Sequence, residues 1–307
     1  MLNTAIMMVC ALLLDRLLGE PRRWHPLVGF GNLAVWMEQH MNGGAHSALR
    51  LRVHGVLAWG LVIAPWLVLV WLLWRQPLLQ LLAGVLVLYF ALGMQSLNEH
   101  AGRVQQALQA DDLALARLRV GEIVSRDTTA MQKQDVARAG VESVLENGSD
   151  AVFGALFWFA LAGAPGVLLY RLANTLDAMW GYRTPHYRYF GWAAARLDDV
   201  LNFIPARLTA LTYALLGNTR IALHCWRQQA RAWDSPNAGP VMASGAGSLI
   251  VQLGGAANYH GVCEERPALG AGHAPDAADI ARATALVRRG AWLWVLLLLL
   301  IGVLLHA

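Results

Sequence analysis

Charge is scarce in this chain, and lysine is nearly missing: Lys133 is the only one in 307 residues. The 24 Lys and Arg and 20 Asp and Glu make up 14% of the sequence, against about 25% in an average soluble domain. A surface built with so few charges leaves large apolar patches, which soluble monomers rarely carry. That excludes an ordinary cytosolic enzyme and a disordered chain. Cysteine is equally uninformative as a staple. Cys10, Cys225 and Cys263 are odd in number, widely spaced and free of any CxxC, so neither a disulfide framework nor a structural zinc site is supported. There is no GxxxxGK[ST], no kinase signature set, no HExxH, no GxSxG and no strand-associated GxGxxG. Among ten histidines no two are spaced i, i+3 or i, i+4, so no single helix offers a pair of imidazoles to a metal. The net charge of +4 comes from arginines scattered among acids and apolar runs. Nucleic acid would need them clustered on one face and is not expected as a partner.

What the chain has instead is apolar length. Hydrophobic residues make up 57% and the mean hydropathy is +0.42. Four windows carry no Asp, Glu, Lys or Arg: Val53–Trp74, Gln76–Asn98, Ala151–Tyr170 and Gly290–Ala307. About 20 such residues as a helix cross the hydrocarbon core of a bilayer. The first two are joined only by Arg75-Gln76-Pro77 and read as a tight transmembrane hairpin. Met1–Leu14 reads as an uncleaved first span or a half-inserted helix. Leu208–Thr219, extended back through Val200–Pro205, is either a fifth span carrying Arg207 or a buried helix. The expected fold is therefore all-α: a polytopic integral membrane protein with four to six membrane-embedded helices and cytosolic polar helices and loops, in a single domain over residues 1–307. Ala164-Pro165-Gly166 interrupts the third window. Pro and Gly break a membrane helix where protein or water satisfies the freed backbone, so this window is either a kinked span or a re-entrant hairpin. Ser235–Cys263 is also uncharged but punctuated by glycine, and reads as a packed loop–helix–loop.

The polar residues are concentrated in two stretches, Asn98–Asp150 and Arg171–Arg207. In the first, Ser125, Asp127 and Thr128 are each able to cap a helix, with a helix expected over Ala130–Asn147. On that helix Arg138, Glu142 and Glu146 follow one another at four-residue spacing and share a face. They form either a solvated row of pairs or a carboxylate row for a divalent metal or an amine. In the second, Arg171, Asn174 and Asp177 share a stripe. Beyond them Asp198 pairs with Asn202 at i, i+4, while Arg196, Asp199 and Asn202 follow at i, i+3, i+6. Carboxylates at the mouth of a membrane helix are costly unless they bind something. Their partner is either a neighbouring arginine or a metal–phosphate group.

Several long motifs in order then carry a likeness. They are Asp15-Arg-Leu-Leu-Gly-Glu-Pro21 with His25-Pro26; Ser125-Arg-Asp127 with Val141-Glu-Ser-Val-Leu-Glu-Asn147; Tyr170-Arg-Leu-Ala-Asn-Thr-Leu-Asp177 with Gly181-Tyr-Arg183; Ala195-Arg-Leu-Asp-Asp199; and Ser235-Pro-Asn-Ala-Gly239 with Tyr259-His-Gly261. Together they resemble the CobD/CbiB family of cobalamin biosynthesis, the adenosylcobinamide-phosphate synthases, over nearly the whole chain. The resemblance implies a multi-pass enzyme of the bacterial inner membrane with its active site facing the cytosol. It implies amide formation between a propionate carboxylate of adenosylcobyric acid, a corrinoid, and aminopropanol phosphate or aminopropanol. It also implies activation by ATP and Mg²⁺ through an acyl phosphate, and other corrinoid-pathway membrane enzymes as neighbours in the bilayer. On this basis Glu142, Glu146, Asp177, Asp198 and Asp199 form the catalytic set, with Glu146 and Asp199 as Mg²⁺ ligands. The substrate and phosphate contacts are Arg126, Asp127, Asn147, Arg171, Asn174, Arg183, Arg196, Asn202, Ser235, Asn237 and Tyr259. A non-catalytic membrane regulator and a corrinoid transporter are the rival readings. One cytosolic site requires both polar stretches on one side of the membrane, so either Ala151–Tyr170 re-enters or the second stretch folds back into a cavity.

Overall fold

The computed structural model describes residues 1–21, 25–43, 47–259 and 262–305. The helices in chain order are α1 (Leu2–Leu18), α2 (Pro26–Met41), α3 (Ala48–Trp74), α4 (Pro77–Ala91), α5 (Met94–Gln109), α6 (Leu113–Gly121), α7 (Lys133–Gly148), α8 (Gly154–Trp180), α9 (Trp192–Leu216), α10 (Thr219–Gln229), α11 (Ala238–Leu249) and α12 (Ala277–Leu304). A π-helical turn, Ser149–Phe153, joins α7 to α8. Four short strands follow α11: β1 (Gln252–Leu253), β2 (Ala257–Tyr259), β3 (Val262–Glu264) and β4 (Leu269–Gly270). They form two antiparallel pairs, β1 with β4 and β2 with β3. Four helical stretches are long and apolar enough to cross a membrane: Ala48–Trp74, Pro77–Gln109, Lys133–Trp180 and Ala277–Leu304. The protein is thus an all-α polytopic membrane protein, with the strands as a minor addition.

The packing divides the chain into two compact units. One comprises residues 1–93, 154–202 and 295–307, and the other residues 94–153 and 203–294. In the first, α2, α3, α8 and the start of α9 enclose Phe30, Ile63, Leu176, Trp180 and Phe190. Outward, α3 exposes Val53, Val56, Leu57, Leu61 and Val68, the surface a lipid-facing helix needs. The N-terminal motif acts as a joint. Gly19 ends α1 with φ 64 and donates its N–H to the Asp15 carbonyl, and the Tyr89 hydroxyl donates to the Gly19 carbonyl at 2.8 Å. His25 caps α2, its Nδ1 accepting from the Leu27 N–H, with Pro26 in the first turn. Burial holds the His25 pKa below its usual value, as suits a ring nitrogen that must accept.

The second apolar window falls in Pro77–Gln109, one of the four stretches that suit a crossing. The helix breaks at Leu92–Gly93, so its lipid-suited part is the 15 residues of α4. At 1.5 Å per residue that is about 22 Å.

The third window doubles back. Gly163 takes φ 64 and ψ −152 in the middle of α8. A Cβ placed on Gly154 would lie 2.1 Å from the Tyr170 hydroxyl, and one on Gly166 would lie 2.6 Å from the Trp158 carbonyl oxygen. In a straight helix residues 154 and 170 would stand about 24 Å apart. Counted by length, Lys133–Trp180 suits a crossing, but the chain reverses at Gly163 and α8 is a helical hairpin. Of the two readings open for this window, the geometry is that of the hairpin.

In the second unit α11 is buried along its whole length. Its small residues let neighbours approach closely. Gly245 lies against Leu145 of α7, and Gly247 against the Ala222 backbone of α10. Ser244 and Ser248 donate to the Ala210 and Tyr213 carbonyls of α9. The expected loop–helix–loop is therefore a core helix, followed by strands that the glycine-rich sequence did not announce.

Gly163→Val is expected to lower stability by about 2–4 kcal/mol. The left-handed conformation disfavours any Cβ, and one here would lie 2.4 Å from the Trp74 ring, an overpacking of the kind that costs about 1–3 kcal/mol. Gly60, whose Cβ position is open, is the control: Gly60→Ala should leave the thermal midpoint in detergent unchanged or slightly raised.

Candidate functional site

Each unit contains one constellation of the expected site residues. In the second unit α7 carries Glu142 and Glu146. The helix begins with a capping box in which the Gln132 side chain accepts from the backbone of Asp135 and the Asp135 carboxylate accepts from the Gln132 N–H. This differs from the expected cap at Ser125, Asp127 or Thr128. Asp127 instead accepts from the Thr129 N–H and hydroxyl at 2.9 and 2.7 Å. Those bonds, the backbone one foremost, hold its carboxyl below the usual range.

Glu142 is buried, and both its oxygens are engaged. Arg126 donates at 2.6 Å and Arg266 through two nitrogens at 3.1 and 3.2 Å, while the Gly254 N–H donates at 2.8 Å. Arg126 and Arg266 are themselves only 7% and 13% exposed. Gly254 stands at φ 77, where a Cβ would lie 2.0 Å from the Pro267 carbonyl oxygen, so only glycine brings that N–H to the carboxylate. Arg266 also donates from Nε to the Gly255 carbonyl and lies over the Trp233 ring. Glu146, one turn on, is half-buried. Its carboxylate lies in the field of Glu142, Arg266 and Arg126 and makes no hydrogen bond or ion pair among the described residues. Asn147 is exposed and donates to the Ser143 carbonyl and hydroxyl.

Ser235 and Asn237 shape the start of α11. The Ser235 hydroxyl accepts from the Asn237 and Ala238 N–H groups. Asn237 accepts from Arg207 at 2.6 Å, and Arg207 also donates to the Pro236 carbonyl and lies 3.7 Å from the Phe203 ring centre. The Tyr259 backbone is in β2; its side chain, with His260 and Gly261, lies outside the described residues.

In the first unit the α8 hairpin and α9 supply the rest. Asp198 is buried and accepts from the amide groups of Asn174 at 3.3 Å and Asn202 at 3.0 Å. Asn202 is held in turn by the Tyr170 hydroxyl at 2.8 Å. Burial raises the Asp198 pKa to about 6, against the lowering effect of the two amides, with nearby Asp199 adding to the rise. Asp177 lies in the field of Asp198 and Asp199, its Oδ1 against Gly181, where a Cβ would stand 1.9 Å away. That accounts for the glycine in Gly181-Tyr-Arg183. Asp199 pairs with the exposed Arg196 at 3.2 Å. Arg171 is half-buried on α8, near enough for its charge to act on His25. Arg183 is exposed on the loop between α8 and α9 and has no ion pair among the described residues.

Sequence reasoning thus gathered Asn174, Asp177, Asp198, Asp199 and Asn202, and it missed Arg266, the Tyr170 hydroxyl and the pairing of Arg207 with Asn237. The one signal for Arg266 was an arginine after a long uncharged, glycine-rich run. The expected Mg²⁺ ligands belong to different units, Glu146 to the second and Asp199 to the first. Among the described residues no three His, Cys, Asp or Glu side chains converge as a metal cage. Mg²⁺ at a phosphate commonly takes only one or two carboxylates, the remaining ligands being phosphate oxygens and water.

The sequence model of the CobD/Cbib protein family matches residues 8–287. The chain belongs to the CobD/CbiB family. Two relatives, each called cobalamin biosynthesis protein CobD, are similar along their whole length. The one from Chromobacterium violaceum is 57% identical, covering 100% of this chain and 99% of its own. The one from Stutzerimonas stutzeri is 60% identical, covering 98% and 99%. A Mycobacterium tuberculosis family member of the same name is 38% identical over 92% of this chain and 91% of its own. No solved structure matches. Family membership fits the motif order from Asp15 to Tyr259.

Glu142→Ala is expected to cost about 3–5 kcal/mol, because it leaves two buried guanidiniums uncompensated. Replacing all three partners with apolar residues of similar size (Arg126→Met, Glu142→Leu, Arg266→Met) should recover most of that stability, read as the thermal midpoint of the purified protein.

Proposed function

We propose that this chain is the enzyme of cobalamin biosynthesis that joins a propionate carboxylate of adenosylcobyric acid to the amine of aminopropanol phosphate or aminopropanol. The products are adenosylcobinamide phosphate or adenosylcobinamide. Family membership and the relatives' names support the pathway, and with it a corrinoid substrate. The observation that carries the chemistry is Asp198: a buried carboxylate with a pKa of about 6, fixed by two amide donors beside two further carboxylates.

An alkylamine is an ammonium at neutral pH and attacks only after losing a proton. Asp198 is mostly ionised at pH 7 and matches the requirement that a general base titrate near the working pH. Asn174 and Asn202 orient it, and the Tyr170 hydroxyl fixes Asn202. Asp177 and Asp199 make the locality attractive to the incoming ammonium. The exposed guanidiniums of Arg183 and Arg196 suit a phosphate, which arginine grips with two parallel hydrogen bonds. ATP with Mg²⁺, when bound, would supply the activation that turns a carboxylate oxygen into a leaving group. Asp199, a hard oxygen donor of the type Mg²⁺ prefers, is the residue of the first unit proposed to hold the cation, while Glu146 belongs to the other unit. The need for ATP places the site on the cytosolic face of the bacterial inner membrane in this reading.

Asp198→Asn should reduce kcat/KM about 100-fold or more, within the range ascribed to a positioned general base. The sign of the pH effect follows from the raised pKa. Acid protonates the base, so wild-type activity should fall as pH drops through about 6, and the variant's residual rate should lack that limb. A variant that kept both rate and limb would remove Asp198 from the role. The reaction itself is tested in a cobalamin auxotroph lacking this step. The gene should restore growth on cobyric acid, and growth on cobinamide alone would sink the assignment.

A further inference from the structure

Two arginines of the first unit take part in none of the chemistry above and share one aromatic ring. Arg52, near the start of α3, has its guanidinium carbon 5.7 Å from the Tyr189 ring centre and 5.6 Å from that of Trp192. Arg188 lies 5.6 Å from the same Tyr189 ring. Both arginines are exposed, and neither has an ion pair or hydrogen bond among the described residues. Arginine stacked on aromatic faces keeps its edge N–H groups available for hydrogen bonding. The cluster is therefore a held pair of donors with no acceptor among the described residues.

Its position identifies the acceptor. Val53, the residue after Arg52, begins the charge-free run of α3, and Val53 and Val56 are each 48% exposed. Trp192 is 43% exposed, in keeping with the preference of tryptophan for the membrane–water interface. The guanidiniums thus stand where the apolar surface of a spanning helix ends, at headgroup depth. We propose that Arg52, Arg188, Tyr189 and Trp192 form a binding site for the phosphate of an anionic membrane phospholipid, with its acyl chains along Val53 and Val56 of α3. Planar guanidiniums suit phosphate oxygens, and basic residues just outside a membrane helix attract anionic lipid.

The test uses the purified full chain in a neutral detergent, with bound phosphatidylglycerol measured by native mass spectrometry. Phosphatidylcholine and inorganic phosphate are the comparison ligands. Phosphatidylglycerol should bind in preference to phosphatidylcholine. Each arginine near an anionic headgroup contributes about a five-fold gain, so Arg52→Gln with Arg188→Gln should weaken phosphatidylglycerol binding about 25-fold. Binding of phosphatidylcholine should be unchanged, which also shows that the variant is folded. Arg52→Lys with Arg188→Lys should retain an intermediate affinity, since the charge stays and the planar fork is lost. If the double Gln variant does not fold, Arg188→Gln alone, on the exposed loop, should show about a five-fold loss. Equal binding of the two lipids by the wild type, or full phosphatidylglycerol binding by the Gln variants, would overturn the proposal. Displacement of the lipid by equimolar inorganic phosphate would overturn the lipid as the source of the phosphate.

Discussion

A buried carboxylate must find donors for both oxygens, and in the second unit that requirement is met at Glu142. One guanidinium comes from the loop before α7, another from the segment after β3, and a backbone N–H from Gly254. Segments distant in sequence are brought together because each alone would be an uncompensated buried charge or an unpaired buried donor. The left-handed Gly254 and the stacking of Arg266 on Trp233 follow from that arrangement. Glu146, one turn on, lies in the field of Glu142, Arg266 and Arg126, and its own carboxylate makes no hydrogen bond or ion pair among the described residues.

The first unit treats its buried acid differently. Asp198 receives two neutral amides in place of guanidiniums. Amide donors favour the carboxylate only modestly, so burial prevails and raises its pKa to about 6. A guanidinium there would have held the carboxyl ionised over the whole physiological range. The two constellations show a buried carboxylate set to different ends by its partners. Glu142 is a fastened electrostatic joint, whereas Asp198 is a buried carboxyl held only by neutral amides.

The hairpin of α8 and the small-residue helix α11 are the scaffold for these groups. Gly163 lets α8 turn back within the apolar segment, which places Tyr170, Asn174 and Asp177 on its returning arm. The serines and glycines of α11 let α7, α9 and α10 pack closely in the second unit. Both devices depend on residues with little or no side chain, because close backbone approach is possible only where the Cβ is absent or small.

Hydropathy and helical spacing by themselves determined the membrane class, the all-α architecture, the face shared by Glu142 and Glu146 and the Asp198–Asn202 pairing. These are local properties, set by the residue composition of a window and by 3.6 residues per turn. The ordered motifs determined the family. The tertiary structure alone decided that Ala151–Tyr170 doubles back, since Pro and Gly permit a break without giving its angle. It also decided which acids are bound by arginine. Arg266 lies 124 residues from Glu142, and no spacing rule links them. Their meeting is enforced by the desolvation of charge, which acts only once the chain has folded around both.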